Sequence, residues 1–330
     1  MNWLACKRPG YLPFTYLASL FAILKQSPRV RFRTFADLSF NSDAPFRTEK
    51  DLKAAYKAEF RAWKKEVKSN DQPVIDILFM HDCDSGPKQT VHVCEHQAAN
   101  DIVSTTALFT RTMIKGTETP YPIDYDRLLA TQEQGNCFTY HCNAYQTAGF
   151  DPSKIEAHFN EDMEALTRRG FAINHFSPHG GPACPNGLRN NSFFYPAYAQ
   201  KALIWTHNRH GPVGDRYSDG GLAPRLARGD ITVDLQYRLM KAIALNTRFF
   251  ILLHPQYYFS ETPDRAKDVF AASPWVEEFW RWHEKGQPEQ YWEPLRQFLT
   301  NVRHHSLWYK TRHKLWQGYN FIKAIKSPAP

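Results

Sequence analysis

The chain has 330 residues, 42% of them hydrophobic and 15% aromatic, which is ample for a packed core and excludes a disordered chain. Its formal charge is +8, but seven basic residues and no acid follow Glu293, so the remainder carries about +1. The basic surplus belongs to the tail and no nucleic-acid-binding signature accompanies it, so DNA and RNA are not expected partners.

Residues 16–24 are apolar and follow Lys7 and Arg8. The run lacks a small-residue cleavage site and is too short to span a bilayer, so it reads as a helix inside the fold of a cytoplasmic protein. Residues 30–35 alternate apolar and polar, as a strand does, and 41–45 are rich in turn formers. Leu52, Tyr56, Phe60, Trp63 and Val67 recur at helical spacing. Residues 74–80 are a buried-strand run, with a helix expected over 88–100. A strand follows at 104–110, a helix at 124–134 and a strand at 137–140. Asp151 and Pro152 open the next helix, with core stripe Ile155, Phe159, Met163 and Leu166. Further strands are expected at 171–174, 202–205 and 249–253. The six cysteines show no Cys-x-x-Cys spacing and read as free thiols in a reducing compartment.

Strand-then-helix units without a linker favour one barrel-like α/β domain over residues 1–293, with a basic, aromatic, helical tail over 294–330. In that tail Trp308, Leu315, Tyr319 and Ile322 fall near one face, flanked by lysines and arginines. Such a helix either packs on the barrel or makes peripheral contact with an anionic membrane surface.

Several strands run into polar clusters on their carboxyl side. Residues 74–80 lead to His81, Asp82, Cys83 and Asp84; 137–140 lead to His141; 171–174 lead to His175, Ser177 and His179; 249–253 lead to His254. In an α/β barrel these ends converge on one face. Asp82 and Asp84 would repel each other unless a cation or proton intervenes. Amide hydrolysis at neutral pH needs an activated water, which a bound divalent metal supplies. One aspartate could then hold the metal while the other acts as base. The alternative is a solvated turn that caps the next helix.

His81-Asp82-Cys83-Asp84, followed by a helix and a strand at 104–110, resembles the opening of the NodB-homology polysaccharide deacetylases (carbohydrate esterase family 4), in their His-Asp-x-Asp branch. The segment from Gly135 to His141 resembles the family's Gly-His-Glu-Ile-Gly-x-His motif. Ser177-Pro178-His179-Gly180-Gly181 occupies the place of its substrate-groove motif, and Leu252-Leu253-His254-Pro255 resembles its final Leu-His motif. The similarity covers roughly residues 74–256. It implies a distorted (β/α)7 barrel and a hydrolase that removes an N-acetyl or O-acetyl group from a sugar in a surface polysaccharide or its precursor. Asp82 would be the general base, His254 the general acid, and Asp84 and His141 ligands of a divalent metal, zinc or similar. Tyr145, Ser177, Tyr217 and Asp219 would lie around the carbohydrate site, with Asp219 orienting a partner.

The family's second metal histidine falls at Tyr145, a poor ligand unless ionised. His179 is therefore the first candidate for third ligand and His175 the second. No arginine in 177–181 matches the family's third motif. His92 and His96 have metal spacing but lie on a helix expected outside the barrel, so they read as packing residues, as does His158. His304 and His305 belong to the tail, whereas His207 and His210 could reach the sugar site. A glycoside hydrolase would place its carboxylates on separate segments, which adjacent aspartates do not suit. A barrel without the histidine at 145 could instead be a catalytically impaired glycan-binding accessory protein.

Overall fold

The computed structural model describes residues 12–38, 49–69, 74–114, 116–173, 175–180, 187–188, 190, 204–205, 215–220, 234–245, 248–259 and 285–300. Its first half contains β1 (Leu12–Pro13), α1 (Thr15–Gln26), β2 (Val30–Arg33), α2 (Glu49–Ser69), β3 (Ile75–Asp82), α3 (Pro87–Ala98), β4 (Thr105–Leu108), the hairpin β5 (Arg111–Ile114) and β6 (Thr117–Pro120), α4 (Tyr125–Gln132) and β7 (Cys137–Cys142). There follow α5 (Ala144–Thr147), α6 (Ile155–Arg168), β8 (His175–Pro178), β9 (Ile204–Trp205), β10 (Asp215–Ser218), α7 (Leu235–Leu245), β11 (Arg248–Leu253), β12 (Tyr258–Phe259) and α8 (Glu293–Thr300).

Eight of these strands form one parallel sheet in the order β10-β11-β3-β4-β7-β8-β9, with β2 also on β3, and the sheet curls into a half-barrel. A parallel sheet covered on both faces demands apolar residues throughout its strands. β3 meets that demand: Ile75, Ile77 and Phe79 join the cluster that includes α1, while Leu78 and Met80 join the second cluster. The edge of β3 is shared. β2 pairs with its first half, from Val30 opposite Ile75 to Arg33 opposite Leu78, and β4 with its end, from Met80 opposite Thr105 to Asp82 opposite Ala107.

Where β2 stops, a 3-10 turn at Phe35–Asp37 takes the chain into the curl, closed by a capping box between Thr34 and Asp37. The Phe35 amide donates to Thr105 Oγ1 at 2.9 Å, and its ring lies 5.6 Å from Phe250 and 6.2 Å from His175. One buried residue thus meets β4 through its amide and β8 and β11 through its ring, which a curled sheet permits.

The 16–24 run is part of α1, and it is packed in the core. The strand expected at 171–174 begins four residues later, at His175. Gly170, at φ +98°, ends α6, the Phe171 amide returns to the Leu166 carbonyl, and the Phe171 ring packs on Phe138. Phe171 is apolar because it seals a helix end. α8 carries Leu295, Phe298 and Leu299 into the same core as α1, so the body continues past 293; residues 301–330, with the expected tail face, lie outside the described residues. Cys83, Cys94, Cys137 and Cys142 are buried free thiols; Cys6 and Cys184 lie outside the described residues. Among the described residues no helix is long and apolar enough to cross a membrane.

Candidate metal centre

The carboxyl ends of β3, β7 and β8 bring Asp84, His141 and His179 together, with one ligand atom from each lying within 4.8 Å of the others. Asp84 Oδ1 is 3.1 Å from His141 Nε2 and 3.3 Å from His179 Nε2. The tautomer of His141 follows from its other nitrogen. Nδ1 lies 3.0 Å from the Ser177 carbonyl, which can only accept, so Nδ1 carries the hydrogen. A neutral ring then points its Nε2 lone pair at a carboxylate oxygen. That arrangement is repulsive until a second proton or a cation enters, and a metal ion with two nitrogen and one oxygen ligands satisfies all three atoms.

The same geometry governs the charges. Burial opposes ionisation of Asp84, but the imidazoles of His141 and His179 against it outweigh this and hold the carboxyl well below its usual range. Burial lowers the His141 pKa, and Asp82 and Asp84 together reverse this and raise it. Phe109 backs both imidazoles, at 4.7 Å from His141 and 5.1 Å from His179. Tyr121 donates its hydroxyl to the Cys83 carbonyl and Tyr125 to the Phe109 carbonyl at 2.7 Å, bracing both segments from behind. The His179 amide donates to the Cys142 carbonyl at 2.8 Å, which fixes the chain leaving β8 against β7.

Asp82 and His254 face this group. Asp82 Oδ2 is 3.9 Å from both His141 Nε2 and His254 Nε2, and its Oδ1 is buried without a hydrogen-bond partner. Burial raises the Asp82 pKa, against the pull of His141 and His254. His254 turns Nδ1 to Asp219 Oδ1 at 2.5 Å, and its amide donates to Asp219 Oδ2 at 2.8 Å. Tyr258 donates to the same Oδ2 at 3.1 Å. Burial lowers the His254 pKa, but Asp219 first, then Asp84 and Asp82, push it up to about 10. The loops carrying Asp82 and His254 touch through Gly86, where a Cβ would stand 2.8 Å from the Gln256 backbone.

All five residues expected to do chemistry or hold metal thus meet at one face. The four expected around the sugar do not act alike. Ser177 contributes its carbonyl, to His141. Asp219 is a buried carboxylate that orients His254 and does not line the surface. Tyr145 is a correction: α5 turns its ring inward onto Phe150 at 5.3 Å, it is fully buried, and Asn190 Oδ1 accepts its amide hydrogen at 3.0 Å. Tyr217 is another, because β10 exposes Arg216 and Ser218 and buries Tyr217 in the α1 cluster.

His175 is buried inside β8, and burial lowers its pKa to about 4. His92 and His96 pack on Phe14 at 4.4 and 5.0 Å. His158, on α6, offers its carbonyl to Arg111. Gly181, His207, His210, His304 and His305 lie outside the described residues. Phe109, Tyr121 and Gly86 carried no sequence signal of a role here, although Gly86 opening a helix two residues after Asp84 hinted at close packing. The chain matches no protein-family model and no curated protein.

Proposed function

We propose that the protein is a metal-dependent hydrolase that removes an N-acetyl or O-acetyl group from a sugar in a surface polysaccharide or its precursor. The observation that carries this reading is the meeting of Asp84 with His141, whose Nδ1 hydrogen is committed to the Ser177 carbonyl, and with His179, beside a buried carboxylate with an unsatisfied oxygen. Asp84, His141 and His179 would hold the ion, and their mixed nitrogen and oxygen donors suit zinc. When bound, a divalent cation acidifies a water and polarises an acyl carbonyl.

The chain's own residues supply the proton transfers. Asp82, with a raised pKa and a free oxygen, takes the proton from the attacking water. His254 presents Nε2 to the same space while Asp219 holds its other nitrogen, so the ring carries a proton to give to the departing amine or hydroxyl. Two groups with opposed protonation preferences on either side of one site are what acyl transfer to water requires. The resemblance to NodB-type deacetylases supports the sugar as substrate and a seven-stranded barrel as the complete architecture.

The test uses protein purified without a histidine tag, assayed for metal content and for acetate release from acetylated chito-oligosaccharides. Asp82→Asn should keep the metal and lose about a hundredfold or more in turnover. Undiminished turnover in that variant would overturn the assignment of Asp82. Glycan binding by a metal-free, inactive wild type would point to an accessory protein.

A further inference from the structure

Away from the metal centre, where β3 and β11 begin and β2 ends, lies a polar cavity of about 210 Å3. We propose that it binds a small monocarboxylate between Arg33 and Arg248. The inference is independent of the hydrolase reading.

It follows from counting donors and acceptors. Asp76 accepts from Arg31 Nε at 2.6 Å, Arg31 Nη2 at 2.9 Å and Trp63 Nε1 at 2.5 Å. Glu66 accepts from Arg31 Nη1 at 3.2 Å, and Asp37 from the Thr34 amide at 2.7 Å. Glu59 receives both its bonds from Arg248 Nη1, at 3.0 and 2.8 Å. Every carboxylate of the cavity is therefore already partnered.

The donors are not. Arg248 is only 2% exposed, yet its Nε has no hydrogen-bond partner. Arg33 lies opposite Leu78, two residues on from Arg31 on the same side of β2, and lines the cavity half-buried. No described residue pairs with its guanidinium, while Arg31 beside it uses all three nitrogens. Among the described residues, what the cavity lacks is an acceptor for these donors.

The surroundings narrow the class. A planar carboxylate matches the guanidinium fork. A phosphate dianion would bring a second charge close to Asp37, Glu59, Glu66 and Asp76. Leu38, Ala62 and Trp63, whose ring stacks on Phe60 and lies under the Arg248 guanidinium, add apolar lining for a short hydrocarbon group.

The experiment compares thermal unfolding of the full chain in sodium propionate, sodium phosphate and sodium chloride at equal ionic strength, with calorimetric titration of propionate. Propionate should raise the Tm by about 2–4 °C over chloride, and phosphate should not. Arg33→Ala and Arg33→Gln should melt like wild type in chloride but bind propionate at least about tenfold more weakly. Asp84→Ala should keep the full propionate shift, which separates this cavity from the metal centre. The proposal is overturned by no shift in wild type, an equal shift with phosphate, an unchanged affinity in both Arg33 variants, or loss of the shift in Asp84→Ala.

Discussion

His141 gives its Nδ1 hydrogen to a backbone carbonyl, so its other nitrogen has nothing to offer Asp84 unless the ring is charged. His179 completes the set from the next strand end. His179→Ala should therefore lose the metal, whereas Tyr145→Phe should retain it, because Tyr145 faces the core; metal analysis of the two purified variants decides. The choice of His179 was legible because it follows a strand that ends on the same face, an inference that survives a misplaced strand boundary. The burial of Tyr145 and Tyr217 was not legible, since aromatic residues beside a motif look alike whether they face a ligand or the core.

Asp234 shows a different residue-scale effect. It is buried, accepts from Tyr291 Oη at 2.6 Å and the Gln236 amide at 3.0 Å, and burial still raises its pKa from 3.8 to about 6. Between those values the folded protein binds more proton than the unfolded chain, so this group's contribution to stability falls as pH rises through the window. The shift corresponds to about 3 kcal/mol. Asp234→Asn should gain roughly that much on wild type between pH 4 and pH 7, read from denaturant unfolding at each pH. A constant difference would show that Asp234 does not titrate there.

At the scale of elements, β3, β4, β7 and β11 were legible as apolar runs, because a parallel strand buried on both faces has little room for polar residues, whereas β10, at the sheet edge with two exposed side chains, gave no such run. β8 was misplaced where helix-end packing imitates a strand, at Phe171. The hairpin of β5 and β6 gave no such run, since its residues are partly to fully exposed. Beyond the glycine at 86, nothing in the chain foretold that the loop after β3 would rest on the loop after β11. That contact sets the spacing of Asp82 and His254. Gly86→Ala forces a carbon against the Gln256 backbone, so His254 must shift while the metal ligands stay in place. Amide turnover should fall by about tenfold to a hundredfold, with little change in metal content. Hydrolysis of an activated aryl acetate, whose leaving group needs no proton, should change far less. Equal losses on both substrates would mean that the loop contact does not act through His254.

For the whole molecule, the α/β class and the convergence of strand ends were legible from the alternation of patterns, because parallel strands joined by helices must all point one way. How the curl is filled was not, since Phe35 meets Phe250 and His175 only after the sheet has closed around it. A metal held by three separate strand ends should stabilise the entire fold: chelation should lower the Tm by about 5–10 °C in wild type and leave His179→Ala unchanged.

The strand order also gives the site a history within each molecule's own synthesis. β3, β4, β7 and β8 are neighbours in the sheet and consecutive in the main-sheet path, so the three ligands exist once the ribosome has passed His179. Asp219 and His254 emerge later, and β11 must then slot in along the free edge of β3. If the three residues hold an ion, a nascent chain would be able to acquire it before His254 is in place, and β11 would close over a centre already loaded.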